Sequence, residues 1–453
     1  MKIIQKIAKD FFKSYGYQRK LDVEYVDSKY IIEHTYKDVK LIFNVLTSEI
    51  IVLNDNEQID DNFAITHWYK FDKNIDQYSF AYGLITHRKN KDVPTITDKA
   101  VIFTTMDCNA RCYYCFENGR SDKKRMSDKI AYDTAQYFIH KSKKLAINWF
   151  GGEPLVNPNA IRIITKEFKD NNIVFTSNIT TNGYLIDEFS IYELKYKWNV
   201  SEVQITLDGT EDIYLKSKNY VNNDPNAFKR VVDNIFWLSN NGIHVAVRFN
   251  VSLFNKEDLK TLILELLNDS RFNENISMYA FRLMAEPTNT IEDEIQLNRD
   301  DIELNRLIVD KLGFSSSTKR FLRYSNVYCM SDSSNCDVVN VDGQIGRCEH
   351  FSESNTDQQI CSIYNPICDI KKIKPFMAHR NLDKCKECKL YPNCNLSNLC
   401  EALIPCDEIG LDYQINLVKY NLERFYKSFI EYEIQENNPN ELVVSIMEGS
   451  NND

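Results

Sequence analysis

Thirteen cysteines in 453 residues carry most of the chemistry this chain can do, and they are bunched. Three lie within TTMDCNARCYYCFENG, where Cys108, Cys112 and Cys115 have the spacing C-x3-C-x2-C. Three thiolates this close can ligate three irons of a four-iron cluster, leaving the fourth iron open to an external ligand. That is the cluster counterpart of a catalytic metal that keeps one coordination position free. The other ten follow no earlier than position 329, as Cys329-x6-Cys336-x11-Cys348, then Cys361 and Cys368, then Cys385-x2-Cys388-x5-Cys394-x5-Cys400-x5-Cys406. Eight of these suffice for two four-thiolate sites, with Cys361 and Cys368 left over. Zinc is the alternative occupant of such spacings. The seven histidines are scattered without ligand spacing.

The elements needed to position the first three thiols follow from periodicity. From about residue 97 strand-like runs alternate with helical ones: VIFTT (101–105), LAINWF (145–150), IVFTSNITT (173–181), VQITLD (203–208), HVAVRFNV (244–251) and ISMYAFRLM (276–284). Between them, 226–242 is the clearest helix, with Phe228, Val231, Val232, Ile235 and Leu238 along one face. Six β–α units in series predict a parallel, incomplete barrel whose chemistry gathers just after the strands. The cysteine triplet directly follows the first strand. Before the barrel, residues 1–95 read as a small α+β domain. A helix carries Ile3, Ile4, Ile7, Ala8, Phe11 and Phe12, strand-like segments follow, one of them a hairpin about Thr47–Ser48, and 62–84 is helix-like. Beyond the barrel (96–312) the cysteine-rich stretch 313–410 is weakly periodic, and 411–453 reads as a helix over 412–434 and a polar tail.

With its aromatic Tyr114 before the third cysteine, the triplet resembles the radical S-adenosylmethionine (SAM) enzymes. The resemblance extends to the strand ends. WFGGEPL matches the family's G-G-E element with Gly151, Gly152 and Glu153, and implies that this element holds the amino group of SAM. It further implies SAM contacts from Tyr114, from Thr181 and Asn182 in TTNGYL, from Thr206 and Asp208 in ITLDG, and from Arg248 in VRFNV. Asn182–Gly183 also reads as a turn and Asp208 as a helix cap. The later cysteines, with Gly343 five residues before Cys348, resemble the SPASM extension of radical SAM enzymes that modify peptides and proteins. That resemblance implies two auxiliary iron–sulfur clusters, one on Cys329, Cys336, Cys348 and Cys400 and one on Cys385, Cys388, Cys394 and Cys406. The chain would then hold three 4Fe–4S clusters and SAM. The family has three residues where NLSNL separates Cys394 from Cys400. The N-terminal segment looks similar to the leader-binding (RRE-like) domains of peptide maturases, which capture a leader as an added strand.

The expected fold is therefore a partial (β/α)6 radical SAM barrel between an N-terminal leader-binding-like domain and a C-terminal SPASM domain. The implied activity is hydrogen-atom abstraction by a 5′-deoxyadenosyl radical, forming a thioether or carbon–carbon crosslink in a ribosomally made precursor peptide, as in sactipeptide and ranthipeptide synthases. Its partners would be that leader-bearing peptide and a reductant such as flavodoxin or ferredoxin. An anaerobic sulfatase maturase that generates formylglycine is the alternative enzyme, and an iron–sulfur electron carrier or peptide-binding protein the alternative of another class. Composition narrows the field: 55 basic against 65 acidic residues, a net charge of −10, argue against a nucleic-acid binder. No apolar run approaches membrane length, and the charged N-terminus lacks a secretory pattern, so a cytoplasmic location is expected, where clustered cysteines serve metals or redox chemistry.

Overall fold

The computed structural model describes residues 1–6, 20, 22–91, 98–115, 123–283, 290–312, 335–349, 359–367, 383–391, 394 and 406–436. They group into two units, one of residues 1–92, 309–328 and 379–453, the other of 93–308 and 329–378. Among the described residues no helix is long and apolar enough to cross a membrane.

In the first unit, β3 (Ile31–Tyr36), β4 (Val39–Asn44) and β5 (Glu49–Asn54) form an antiparallel meander, and β1 (Lys2–Gln5) adds to the far side of β5. The expected opening helix is thus corrected at its start. Ile3 pairs with Ile51, and the β-branched Ile3 and Ile4 continue a sheet whose edge would otherwise present unpaired backbone groups. The rest of that expectation, from Ile7 to Phe12, lies outside the described residues. The helix-like stretch 62–84 is also divided. Its α1 (Asp61–Thr66), capped by the Asp60 carboxylate on the Phe63 N–H, gives way to β6 (Lys70–Asp72), which pairs with β2 (Tyr25–Asp27). Helix α2 (Gln77–Lys91) follows. The core of this unit joins distant segments: Leu41, Phe43, Ile50, Val52 and Trp68 pack with Leu390 and Tyr391 and with Leu422, Phe425 and Phe429. The last three lie on the long C-terminal helix, Glu408–Glu436.

The second unit is built on one sheet in which β7 (Lys99–Thr105), β8 (Lys144–Gly151), β9 (Val174–Thr181), β10 (Val200–Leu207), β11 (His244–Val251) and β12 (Ile276–Arg282) lie side by side in sequence order. All five of these pairings are parallel. The six-strand expectation holds, and no pairing closes β12 onto β7. The outward residues Leu145, Ile147 and Trp149 of β8, and Val245, Val247 and Phe249 of β11, are buried in one apolar core with helical residues such as Phe138, Ile164, Val231 and Leu262. Burial of this kind contributes about 1.5–3 kcal/mol per large side chain. The alternate residues make polar rows across the other face: Thr180 beside Gln204, and Thr206 beside Arg248 beside Tyr279. On the opposite side of β7 the sheet continues through β13 (Cys336–Val339), parallel to β7, and then β14 (Gln344–Gly346) and β15 (Cys361–Ser362), antiparallel. Gly343 at φ +83° makes the β13–β14 turn, where a Cβ would lie 2.8 Å from the Ile363 side chain.

Candidate cofactor site at the strand ends

The cysteine loop runs from Met106 to Cys115 and is stitched down on both sides. Toward β8, the Gly152 N–H donates to the Thr105 carbonyl (2.9 Å) and the Glu153 N–H to the Asp107 carbonyl (3.0 Å). Toward the segment after α6 (Glu211–Lys218), the Arg111 N–H donates to the Lys218 carbonyl and the Val221 N–H to the Asn109 carbonyl, both at 2.9 Å. The glycines of the G-G-E element are required by this closeness. A Cβ on Gly151, at φ +129°, would meet the Thr105 carbonyl oxygen at 2.1 Å, and one on Gly152 the Asp107 carbonyl oxygen at 2.5 Å.

Glu153 is fully buried. Its carboxylate accepts from Thr181 Oγ1 (2.7 Å) and from the N–H groups of Asn182 (2.8 Å) and Leu155 (3.0 Å), so it locks the ends of β8 and β9 together. Burial pushes its pKa up, against those hydrogen bonds and the Lys218 charge. Asn182 turns its side chain onto the cysteine loop, its amide donating to Asn109 Oδ1 at 2.6 Å.

On the far side of the loop lies a second buried network. The Tyr114 hydroxyl contacts both Asp208 oxygens (2.8 and 2.9 Å), and Lys218 Nζ reaches Tyr114 Oη (2.9 Å), Thr206 Oγ1 (2.7 Å) and Asp208 (3.1 Å). Asn250 Nδ2 donates to Asp208 at 2.8 Å, and Asn255 Nδ2 to the Asp208 carbonyl at 2.8 Å. Burial opposes the Lys218 charge, but the Asp208 carboxylate and the neighbouring Cys112 outweigh it and hold the ammonium above its ordinary pKa. The expected residues Tyr114, Thr206 and Asp208 therefore meet here. Lys218, Asn250 and Asn255 were not singled out in the sequence. Lys218 falls ten residues beyond Asp208 on the far end of a helix, and no single-sequence pattern announces that return.

Arg248 stands apart from this network. It lies on β11 two residues short of Asn250, its guanidinium 4.9 Å from the Phe281 ring centre, with the half-buried Glu349 carboxyl in its field. Burial raises the Glu349 pKa and the Arg248 charge lowers it.

Among the described residues no three His, Cys, Asp or Glu side chains stand close enough together to hold a metal ion as they are. The donor set nevertheless suits a cluster. Burial drives the Cys108 thiol up to about 12 and raises that of Cys112, so thiolates there need a compensating cation. Soft, desolvated thiolates on one glycine-cradled loop are what an iron–sulfur centre requires. Of the later cysteines, Cys336 and Cys348 are buried, and the β13–β14 register, continued by two residues, sets them opposite one another. Cys361 is on β15 in the same unit; Cys385, Cys388, Cys394 and Cys406 belong to the first unit. Cys329, Cys368 and Cys400 lie outside the described residues.

Comparison with known proteins agrees with this geometry. Residues 102–266 match the radical SAM superfamily. The chain carries a radical SAM domain. That domain type brings SAM and a 4Fe–4S cluster as its cofactors. Over 308 residues the chain is 24% identical to the radical SAM cyclopropyl synthase TigE of Paramaledivibacter caminithermalis, covering 63% of this chain and 59% of that protein. Over 123 residues it is 36% identical to an uncharacterized protein of Methanocaldococcus jannaschii, covering 26% of this chain and 42% of the other. The chain thus spans under two thirds of either curated relative. Among solved structures the fold is similar to anSMEcpe with bound AdoMet and a peptide (TM-score 0.52, 15% identity, 74% of this chain and 98% of that one). It is also similar to Streptococcus suis SuiB bound to precursor peptide SuiA (TM-score 0.51, 15% identity, 85% and 99%).

Proposed function

We propose that this protein is a radical SAM maturase that crosslinks a ribosomally made precursor peptide through a thioether or carbon–carbon bond. The observation that carries the reading is the cysteine loop at the carboxyl end of β7, glycine-packed on one side and clamped by the buried Tyr114–Asp208–Lys218 network on the other. When bound, the cluster and SAM supply the electron and the 5′-deoxyadenosyl group that takes a hydrogen atom from substrate. This chain's own part is to present Cys108, Cys112 and Cys115 as ligands and to keep water away from the thiols. The Gly151–Gly152 backbone would face the methionine end of SAM.

Two features support a peptide as substrate. TigE and the SuiA-bound SuiB are relatives in sequence and fold, and the N-terminal unit offers an antiparallel sheet of the kind that accepts an added strand. Cys329, Cys336, Cys348 and Cys400, with Cys385, Cys388, Cys394 and Cys406, would hold two auxiliary clusters that drain the second electron of the oxidation. Flavodoxin or ferredoxin would deliver the first. The test is the intact mass of a cognate precursor peptide after anaerobic incubation with reductant and SAM. Loss of two hydrogens per site, dependent on the leader, is the expected result. Wild-type protein that yields no 5′-deoxyadenosine under strong reduction would sink the enzyme reading. For the alternative reading, a sulfatase maturase, an aldehyde on a sulfatase-derived peptide is the diagnostic product.

A further inference from the structure

The two sides of the cysteine loop treat their sulfurs differently. Cys108 Sγ receives the Ala110 N–H at 3.4 Å and has the Asn182 side-chain amide and Asn109 Oδ1 each at 3.9 Å. Cys112 Sγ has the Lys218 carbonyl oxygen at 3.9 Å and the Tyr114 side chain, rather than an amide, as its hydrogen-bonding neighbour. The Asn182 amide has no freedom to turn around. Its Oδ1 accepts the Tyr184 N–H at 3.0 Å, and its own backbone N–H is held by Glu153 at 2.8 Å. Its NH2 group is thereby fixed toward Asn109 Oδ1 (2.6 Å) and Cys108. That contact in turn fixes Asn109 with its Oδ1 between Asn182 and Cys108, its buried Nδ2 having no hydrogen-bond partner.

We propose that the Asn182 side-chain amide, held in place by Asn109, donates an N–H group to the Cys108 side of the bound cluster and so raises its reduction potential. This rests on the radical SAM reading of the site. Hydrogen bonds to cluster sulfurs stabilise the more negative, reduced state. With them the cluster takes one electron from a one-electron donor, which is itself oxidised, at a less extreme potential. Asn182 and Asn109 are positioning residues here: they shape the field at the sulfur and need not touch the substrate.

The experiment is a redox titration of the reconstituted protein, followed on the part of the reduced-cluster EPR signal that changes when SAM is added, in wild type, Asn182→Leu and Asn109→Leu. At a fixed potential near the wild-type midpoint, Asn182→Leu is expected to lower the reduced-to-oxidised ratio about tenfold, a shift of about 59 mV to more negative potential. Asn109→Leu should move it the same way by less. Unchanged midpoints in both variants at full iron loading would overturn the proposal. If Asn182→Leu does not load iron, Asn109→Leu decides alone. If neither loads, the pair is a structural clamp and the proposal falls. A wild type with no SAM-perturbed signal would instead count against the radical SAM reading, so the two failures are distinguishable.

Discussion

The two cysteine regions of this chain are built on opposite plans. Cys108, Cys112 and Cys115 occupy one short loop, and the surrounding fold converges on it: β8 through Gly152 and Glu153, β9 through Asn182, β10 and β11 through Asp208 and Asn250, and α6 through Lys218. The later cysteines are dispersed. Cys336 and Cys348 sit on a hairpin that extends the barrel sheet, whereas the segment around Cys385 and Cys388 leads into Leu390 and Tyr391 in the core of the N-terminal unit. A compact loop held from several sides suits a centre whose geometry must be fixed for chemistry. Dispersed ligands suit centres that also hold remote chain segments together.

The largest expected effect tests the first half of that contrast. Cys112→Ala removes one of the three proposed ligands from the compact loop, and under the proposed function 5′-deoxyadenosine formation should fall to background while iron at the proposed auxiliary sites is kept. Lys218→Met comes next. It leaves the Asp208 carboxylate and the Tyr114 hydroxyl buried without their cation, and breaking such a pair costs about 3–5 kcal/mol. We expect reduced iron at the first site and SAM cleavage down by ~10²-fold or more, measured against Lys218→Arg, which should recover part of the loss. Gly152→Ala should have a smaller structural effect. A methyl group 2.5 Å from the Asp107 carbonyl forces the loop off β8, at a cost of about 1–3 kcal/mol, read as a lower midpoint in urea unfolding.

The second half of the contrast is addressed by Cys385→Ser with Cys388→Ser. If the chain holds the three clusters proposed, loss of one auxiliary cluster should remove about a third of the bound iron. SAM cleavage without product should persist, since the compact loop is untouched. Because these cysteines pack against the apolar core of the N-terminal unit, the double variant should also lower the stability of that unit. Iron loss without any change in stability would mean that the dispersed ligands do not tie the chain together.

The barrel strands were legible in the sequence because each is an apolar run of the right length bounded by helical periodicity. The cysteine loop was legible because its ligands are local. Lys218 and Asn250 were not, since their partner Asp208 comes to them through the packing of β10, α6 and β11, and no local pattern encodes that meeting. β1 was misread because Ile3, Ile4 and Ile7 satisfy a helical period as well as a strand; pairing with β5 decided between them. The motif implies that Glu153 belongs to an element holding the SAM amino group; its bonds to Thr181 and Asn182 show it also joining two strands, a role a motif does not reveal.

Cys361 gives the smallest expected effect and the sharpest line between the two kinds of cysteine. It lies on β15 paired with Ile345, one strand away from the Cys336–Cys348 pair, and it is only half-buried. By register it sits opposite Ile345, three residues before Cys348, so it is offset along the hairpin from the level at which Cys336 and Cys348 face each other. A ligand role would require the short β15 strand to slip, and a one-residue slip in a strand turns every side chain to the other face. Cys361→Ser should therefore leave iron content unchanged and alter stability by under about 1 kcal/mol, as expected for a partly exposed site. A fall in iron comparable to that of Cys336→Ser would place Cys361 among the ligands and make the hairpin, like the first loop, a locally assembled centre.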